Sequence, residues 1–210
     1  MIAGRNGSGK STLLRLLATA LRPDAGEGQI EGFDLVRQRH DVRQLVTLLG
    51  HASNLYEPLT ALQNLQIFAR FLGRDDTPTT LMPLLERVGL GERADDPVTS
   101  YSAGMRKRLS IARVLLRRAP IVLLDEPYGQ LDPPGFHFVD RLVATLRDEG
   151  TTVLLATHQL DRAASMAERG IVLEEGRVRW EGAASRLPID GGLEPRTGAK
   201  PLAILPEEPE

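Results

Sequence analysis

Gly4-Arg5-Asn6-Gly7-Ser8-Gly9-Lys10-Ser11 is the stretch on which the reading of this chain turns. It fits G-x-x-x-x-G-K-[ST], a pattern whose glycines let backbone N–H groups converge on phosphate oxygens while the following helix adds its N-terminal positive potential. Met1-Ile2-Ala3 before it reads as the end of a strand. Residues 10–21 after it carry apolar side chains at 13, 14, 16, 17 and 21, which is one helical face. That context makes Gly4, Asn6, Gly7, Gly9, Lys10, Ser11 and Thr12 candidate phosphate-binding residues. Lys10 is suited to the β- and γ-phosphates of a nucleotide and the Ser11 hydroxyl to Mg²⁺. Lysine is scarce in this chain: of 26 basic residues only Lys10, Lys107 and Lys200 are not arginine, so each position carries information.

A parallel sheet is expected around this loop. Residues 45–49, 121–124 and 152–156 read as strands, and helical patterns at 60–100, 104–117 and 135–147 alternate with them, as in βαβ units. Residues 170–173 and 177–180 flank Glu174-Glu175-Gly176 and read as a hairpin. The run at 121–124 ends in Asp125-Glu126, which the alternation places at the carboxyl edge of the sheet, where open α/β sheets bind ligands. Asp125 suits Mg²⁺, and Glu126 suits orienting an attacking water or taking its proton. On their own two such carboxylates read as an acidic turn; the phosphate loop upstream makes them a candidate site.

Composition narrows the classes further. With 210 residues, 41% of them hydrophobic, the chain has the material for one core without a disulfide or metal staple. Cysteine is absent, which excludes thiolate catalysis and cysteine-ligated metals. A net charge of -2 argues against a partner as anionic as nucleic acid. The apolar runs are too short to span a bilayer. The Pro-, Gly- and Glu-rich stretch 181–210 reads as a tail too polar to fold, outside a domain over 1–180.

Three further elements, in order, carry a family resemblance. Tyr101-Ser102-Ala103-Gly104-Met105 stands at the start of a helix, with Ser102 23 residues before Asp125, Gln130-Leu131-Asp132 follows the two carboxylates, and Thr157-His158 ends the next strand. With the phosphate loop, this order resembles the ATP-binding subunit of ABC transporters. The resemblance implies a P-loop ATPase fold with a mostly parallel sheet and a helical insertion over about residues 55–110. It also implies ATP and Mg²⁺ as ligands, with Ser11 and Asp125 at the metal, Glu126 and His158 catalytic, and Ser102, Gly104 and Asp132 at nucleotide. Implied partners are a second copy in a head-to-tail ATP sandwich and a separate transmembrane permease. The subunit would sit peripherally on the cytoplasmic face of the inner (plasma) membrane.

Two departures qualify the match. Where the family has its Q-loop glutamine stands His51, a residue able to make one hydrogen bond as a neutral imidazole. Gly50-His51, followed by Leu59-Thr60-Ala61-Leu62, is similar to the ATP-binding subunit of the haem exporter of cytochrome c maturation; His51 is accordingly a candidate catalytic residue. The alternatives are another ABC exporter, of multidrug or lipid-like type, or a nucleotide-binding regulatory subunit that does not hydrolyse. Family members also carry β-strands and an adenine-stacking aromatic ahead of the phosphate loop, so most of that N-terminal β-subdomain is expected to be missing here. The clusters Arg37-Gln38-Arg39-His40 and Arg106-Lys107-Arg108 read as solvated faces, or as faces near acidic lipid headgroups and partner loops.

Overall fold

A computed structural model describes residues 1–187. Its central sheet has six strands in the order β4-β5-β6-β1-β7-β8. These are β1 (Ile2–Ala3), β4 (Val46–Leu49), β5 (Ile121–Asp125), β6 (Thr152–Ala156), β7 (Arg169–Glu174) and β8 (Arg177–Ala183). All neighbours pair in parallel except β7 with β8, so the carboxyl ends of β1, β4, β5 and β6 share one edge. This is the α/β fold that the phosphate loop implied.

The strands alternate between two cores. Ile2, Ile121, Leu123 and Ala156 pack with Leu14 and Leu17 of α1 (Lys10–Leu17) on one face. Ala3, Val122, Leu124 and Leu155 pack on the other face, in a larger core shared with α5 (Ala103–Arg117) and α6 (Pro133–Asp148). Burial on both faces explains why 121–124 is a continuous apolar run rather than an alternating one. Off the sheet, β2 (Gln29–Ile30) and β3 (Phe33–Asp34) form a hairpin. Both of its turn residues, Glu31 and Gly32, have positive φ, which matches the twist of a two-residue connection.

The helical layer comprises α3 (Ala61–Phe71), α4 (Pro78–Arg87) and α5. Thr60 and Gln63 start α3 with reciprocal side-chain-to-backbone bonds of 3.1 and 3.0 Å. Buried Asn64 then holds the preceding loop through the N–H (2.8 Å) and carbonyl (3.0 Å) of Tyr56. α5 runs on to Arg117, so the insertion expected to close near residue 110 returns to the core along one continuous helix.

Three other expectations are corrected. α1 stops at Leu17 because Thr19 takes φ 54° and the Ala20 and Leu21 amides both fold back onto the Arg15 carbonyl. Residues 39–45 form a helix, α2 (Arg39–Leu45), invisible in the pattern because Val42 is its single buried residue. β8 crosses the expected boundary at 180, and the turn at Ala184–Arg186 carries Ala184 and Leu187 into the core. The rest of the expected tail lies outside the described residues. No helix among them is long and apolar enough to cross a membrane.

Candidate functional site

The phosphate loop joins β1 to α1 with Gly4, Gly7 and Gly9 at φ 146°, 81° and 104°. Space as well as conformation restricts Gly4: a Cβ there would lie 2.4 Å from the Leu173 carbonyl oxygen and 2.6 Å from Ser8 Oγ. A Gly4→Ala substitution is therefore expected to cost at least about 2 kcal/mol of stability. Thermal unfolding of the two proteins checks this, and an unchanged Tm would refute the reading. From the far side the β7–β8 turn braces the loop, since the Gly176 N–H donates to the Ser8 carbonyl at 2.9 Å.

Inside the loop lies the polar chemistry a phosphate needs. Buried Lys10 donates from Nζ to the carbonyls of Gly4 (2.7 Å) and Arg5 (3.1 Å), which holds its ammonium over the loop. The Ser8 hydroxyl is buried and bonds to no protein group, which leaves it able to bond a phosphate oxygen. Ser11 Oγ donates to Asp125 Oδ1 at 2.9 Å, and Asp125 is only 1% exposed. One hydroxyl and one carboxylate are hard oxygen donors of the kind Mg²⁺ takes together with substrate phosphates and water, so the residues fit that ion.

Glu126 follows at the carboxyl end of β5, in the left-handed region at φ 47°. Its amide donates to the Ala156 carbonyl at 2.8 Å, which fixes it against the end of β6. Oε2 of Glu126 lies 2.9 Å from Nδ1 of His158 and accepts the His158 backbone N–H at 3.4 Å. Non-glycine residues in this backbone region are strained, and such strain clusters at functional sites. The structure thus brings Lys10, Ser11, Asp125, Glu126 and His158 to one sheet edge.

The remaining candidates stand apart. His51 leaves the same edge one residue after Gly50, but it is exposed and its ring makes no hydrogen bond to a described residue. Its loop is held instead by Arg113, which donates to the carbonyls of Ser53 (2.5 Å) and Asn54 (2.9 Å). Burial lowers the Arg113 guanidinium to about 10. Ser102 caps α5, accepting the Met105 N–H at 3.2 Å, and Asp132 caps α6, accepting the Gly135 N–H at 3.0 Å. A Cβ on Gly104 would touch the Gln130 carbonyl at 3.4 Å, so this loop packs on residues 130–131 rather than on its own phosphate loop.

The family model for the ABC transporter matches residues 1–129, well over half of the chain. This chain belongs to the ABC transporter family. The daunorubicin resistance ATP-binding protein DrrA3 of Streptomyces coeruleorubidus is 42% identical over 193 residues, which cover 91% of this chain and 61% of that relative. The Nod factor export ATP-binding protein I of Paraburkholderia xenovorans (strain LB400) is 36% identical over 188 residues, covering 89% and 62%. Our chain accordingly spans less than two thirds of either relative's length. The dimeric post-hydrolysis ATP-binding cassette MJ0796, bound to ADP and Pi, superposes with a TM-score of 0.79 at 28% identity, over 87% of this chain and 84% of that one. These relatives do not support the haem-exporter resemblance drawn from Gly50-His51; they favour the alternative, another kind of ABC exporter.

Two residues of this ABC domain were not legible as part of the site. Lys107 stands in a charge cluster whose sequence suggests a solvated face, yet it is 8% exposed on the core side of α5. Burial lowers its pKa, while the carboxylates of Asp125 and Glu126 act to raise it, so the lysine backs the acidic pair. The usable signal was spacing: 107, 110, 111 and 114 fall on one helical face. Tyr128, also buried, donates to Asp140 Oδ1 at 2.9 Å, and Arg162 pairs with the other oxygen of Asp140. Burial raises the Tyr128 phenol first, and the Asp140 carboxylate raises it further. This network ties the segment after Glu126 to α7 (Leu160–Ala164), the helix after His158. Removing its hydroxyl in Tyr128→Phe is expected to cost about 1 kcal/mol, or a Tm lower by roughly 2–4 °C. Calorimetry showing no change would mean that the bond contributes nothing.

Proposed function

We propose that this chain is the ATP-binding and ATP-hydrolysing part of an ABC exporter for drug-type or lipid-like molecules. The observation that carries the reading is the Glu126–His158 pair at 2.9 Å beside the Ser11–Asp125 pair, next to a lysine-bearing phosphate loop. Hydrolysis needs a water to attack the γ-phosphorus, the bond to the β–γ bridging oxygen to break, and the water's proton to be accepted. Glu126 is the acceptor with a fixed backbone, and His158 holds its carboxylate in place. Lys10 and the Ser8 hydroxyl bind phosphate oxygens, with Gly4, Asn6, Gly7, Gly9 and Thr12 forming and anchoring the loop. Mg²⁺, held by Ser11 and Asp125, would neutralise charge on the β- and γ-phosphates. From the same edge, His51 can offer one hydrogen bond to a bound water.

Ser102, Gly104 and Asp132 are assigned to the nucleotide of a second copy. Support comes from the partial exposure of the Ser102–Gly104 loop, its packing away from its own phosphate loop, and the dimeric state of the MJ0796 cassette. A separate membrane permease supplies the transport path and holds the ATPase at the cytoplasmic face of the membrane. The names of the two relatives, for daunorubicin resistance and Nod factor export, support the export direction and the cargo class. An intact Glu126–His158 pair speaks against a regulatory subunit that never hydrolyses. Purified protein is expected to release phosphate from Mg-ATP and to fall to background when EDTA removes the metal. Tight ATP binding with no phosphate release, even with the permease present, would overturn the hydrolytic reading.

A further inference from the structure

Asp140 of α6 has both carboxylate oxygens committed behind the Glu126–His158 pair. Oδ1 accepts the Tyr128 hydroxyl at 2.9 Å, and Oδ2 pairs with Nη1 of Arg162. Tyr128 lies two residues after Glu126, and Arg162 lies four after His158, on α7. One carboxylate thus tethers the two segments whose side chains meet in the 2.9 Å contact between Glu126 Oε2 and His158 Nδ1. The helix itself puts Asp140 there. Gly135, Val139, Leu142, Val143 and Leu146 form the buried stripe of α6, and Phe136 and Asp140, four apart, form the stripe beside it.

Without this tether the catalytic pair has little else to fix it. α7 has five residues and buries only Ala163, so packing alone holds it weakly. The His158 side chain is 59% exposed, and among the described residues its ring bonds only Glu126 and, at 3.4 Å, Gln159. Arg162 reinforces the junction by lying over Tyr128 and Phe136, 5.9 and 5.4 Å from the ring centroids. The two rings meet edge to face at 5.7 Å, which fixes Tyr128 against α6. His137 is 3.8 Å from Oδ2, too long for a hydrogen bond, and is exposed, so it adds little. We infer that Asp140 is a positioning residue for hydrolysis: by holding Tyr128 and Arg162 together it sets the placement of Glu126 against His158. It hydrogen-bonds neither of them, so it acts through its two partners. The inference rests on the reading of Glu126 as the proton acceptor and His158 as the group that holds it. A displacement of about 1 Å in a reacting group can cost about 100-fold in rate. ATP binding should be spared, because the Tyr128–Asp140–Arg162 network makes no hydrogen bond to the phosphate loop.

Steady-state hydrolysis of Mg-ATP by full-length variants tests this, at a temperature where circular dichroism shows each one folded. Asp140→Asn keeps the side-chain volume, but an amide accepts with one oxygen only, so one tether is lost. Its kcat should fall by roughly 10- to 100-fold with KM nearly unchanged. Arg162→Met should do the same, and Arg162→Lys, which keeps a cation for Oδ2, should recover most of the loss. In a Glu126→Gln background Asp140→Asn should change the residual rate little, because no acceptor remains to be positioned. Leu146→Val gives the structural comparison: it removes buried volume from the same helix away from the network, so it should lower Tm and leave kcat near wild type. Wild-type turnover in Asp140→Asn, a loss carried by KM alone, or an equal loss in Leu146→Val would overturn the inference. Should Glu126→Gln itself hydrolyse at the wild-type rate, the hydrolytic reading fails and the inference with it. Slow turnover in Glu126→Gln beside normal turnover in Asp140→Asn would remove the role of Asp140 alone.

Discussion

Replacing Glu126 with glutamine is expected to slow ATP turnover by roughly 10²–10⁴-fold while leaving ATP binding nearly unchanged. The change keeps the shape and one hydrogen-bonding oxygen but removes the ability to accept a proton. Glu126 makes no bond to the phosphate loop; its partners are the Ala156 carbonyl and the Gly129 amide through the backbone and His158 through the side chain. Binding groups at Lys10, Ser8 and Ser11 are therefore untouched. If two copies sandwich the nucleotide, an ATP that is not consumed should hold them together, so the variant should elute as an ATP-dependent dimer on size exclusion. A variant that stays monomeric with Mg-ATP and hydrolyses at the wild-type rate would remove Glu126 from the mechanism.

Loss of Lys10 should act on the other parameter. Truncating one partner of a buried, hydrogen-bonded charge pair costs about 2–5 kcal/mol, so Lys10→Ala should weaken ATP binding by roughly 30- to 5,000-fold. The side chain is 6% exposed and its ammonium bonds two loop carbonyls, so part of the loss will reflect a loosened loop. Titration with ATP and, separately, with adenosine divides the two contributions: the phosphate contact affects ATP alone. ATP bound with unchanged affinity would show that the ammonium does not face the phosphates. In a cell, a Lys10→Ala strain should lose resistance or secretion for the exported compound and keep normal c-type cytochromes. Failure of cytochrome maturation would restore the haem-exporter reading.

Much of the site was legible because its chemistry is local. A phosphate loop is one contiguous stretch, and Asp125-Glu126 and Thr157-His158 each end an apolar run whose length announces a strand. What spacing along the chain does not encode is which strands become neighbours. That β1 slots between β6 and β7, putting Ile2 opposite both Ala156 and Ile171, rests on pairing across most of the sequence. Lys107 was hidden by its neighbours: Arg106 and Arg108 flank it, and charge clusters are normally solvated. α2 was hidden by its shallow burial, and the end of α1 by arginines that bind Thr19 from another helix. The haem reading rested on a single dipeptide, Gly50-His51. Its histidine is exposed, a position where sequence is free to vary.

The placement of β1 also bears on the order in which the molecule can be made. Ile2 and Ala3 leave the ribosome long before the strands that clasp them, β6 and β7, and before Gly176, whose amide braces Ser8. Contacts so distant in sequence form slowly, because the entropy of closing the loop must be met first. Until about residue 176 has emerged, the phosphate loop lacks its brace, and β1 lacks β7 on one side. Nucleotide binding should therefore switch on late in translation, in one step. The interval before it is when a holdase or a domain-joining partner would have most to protect.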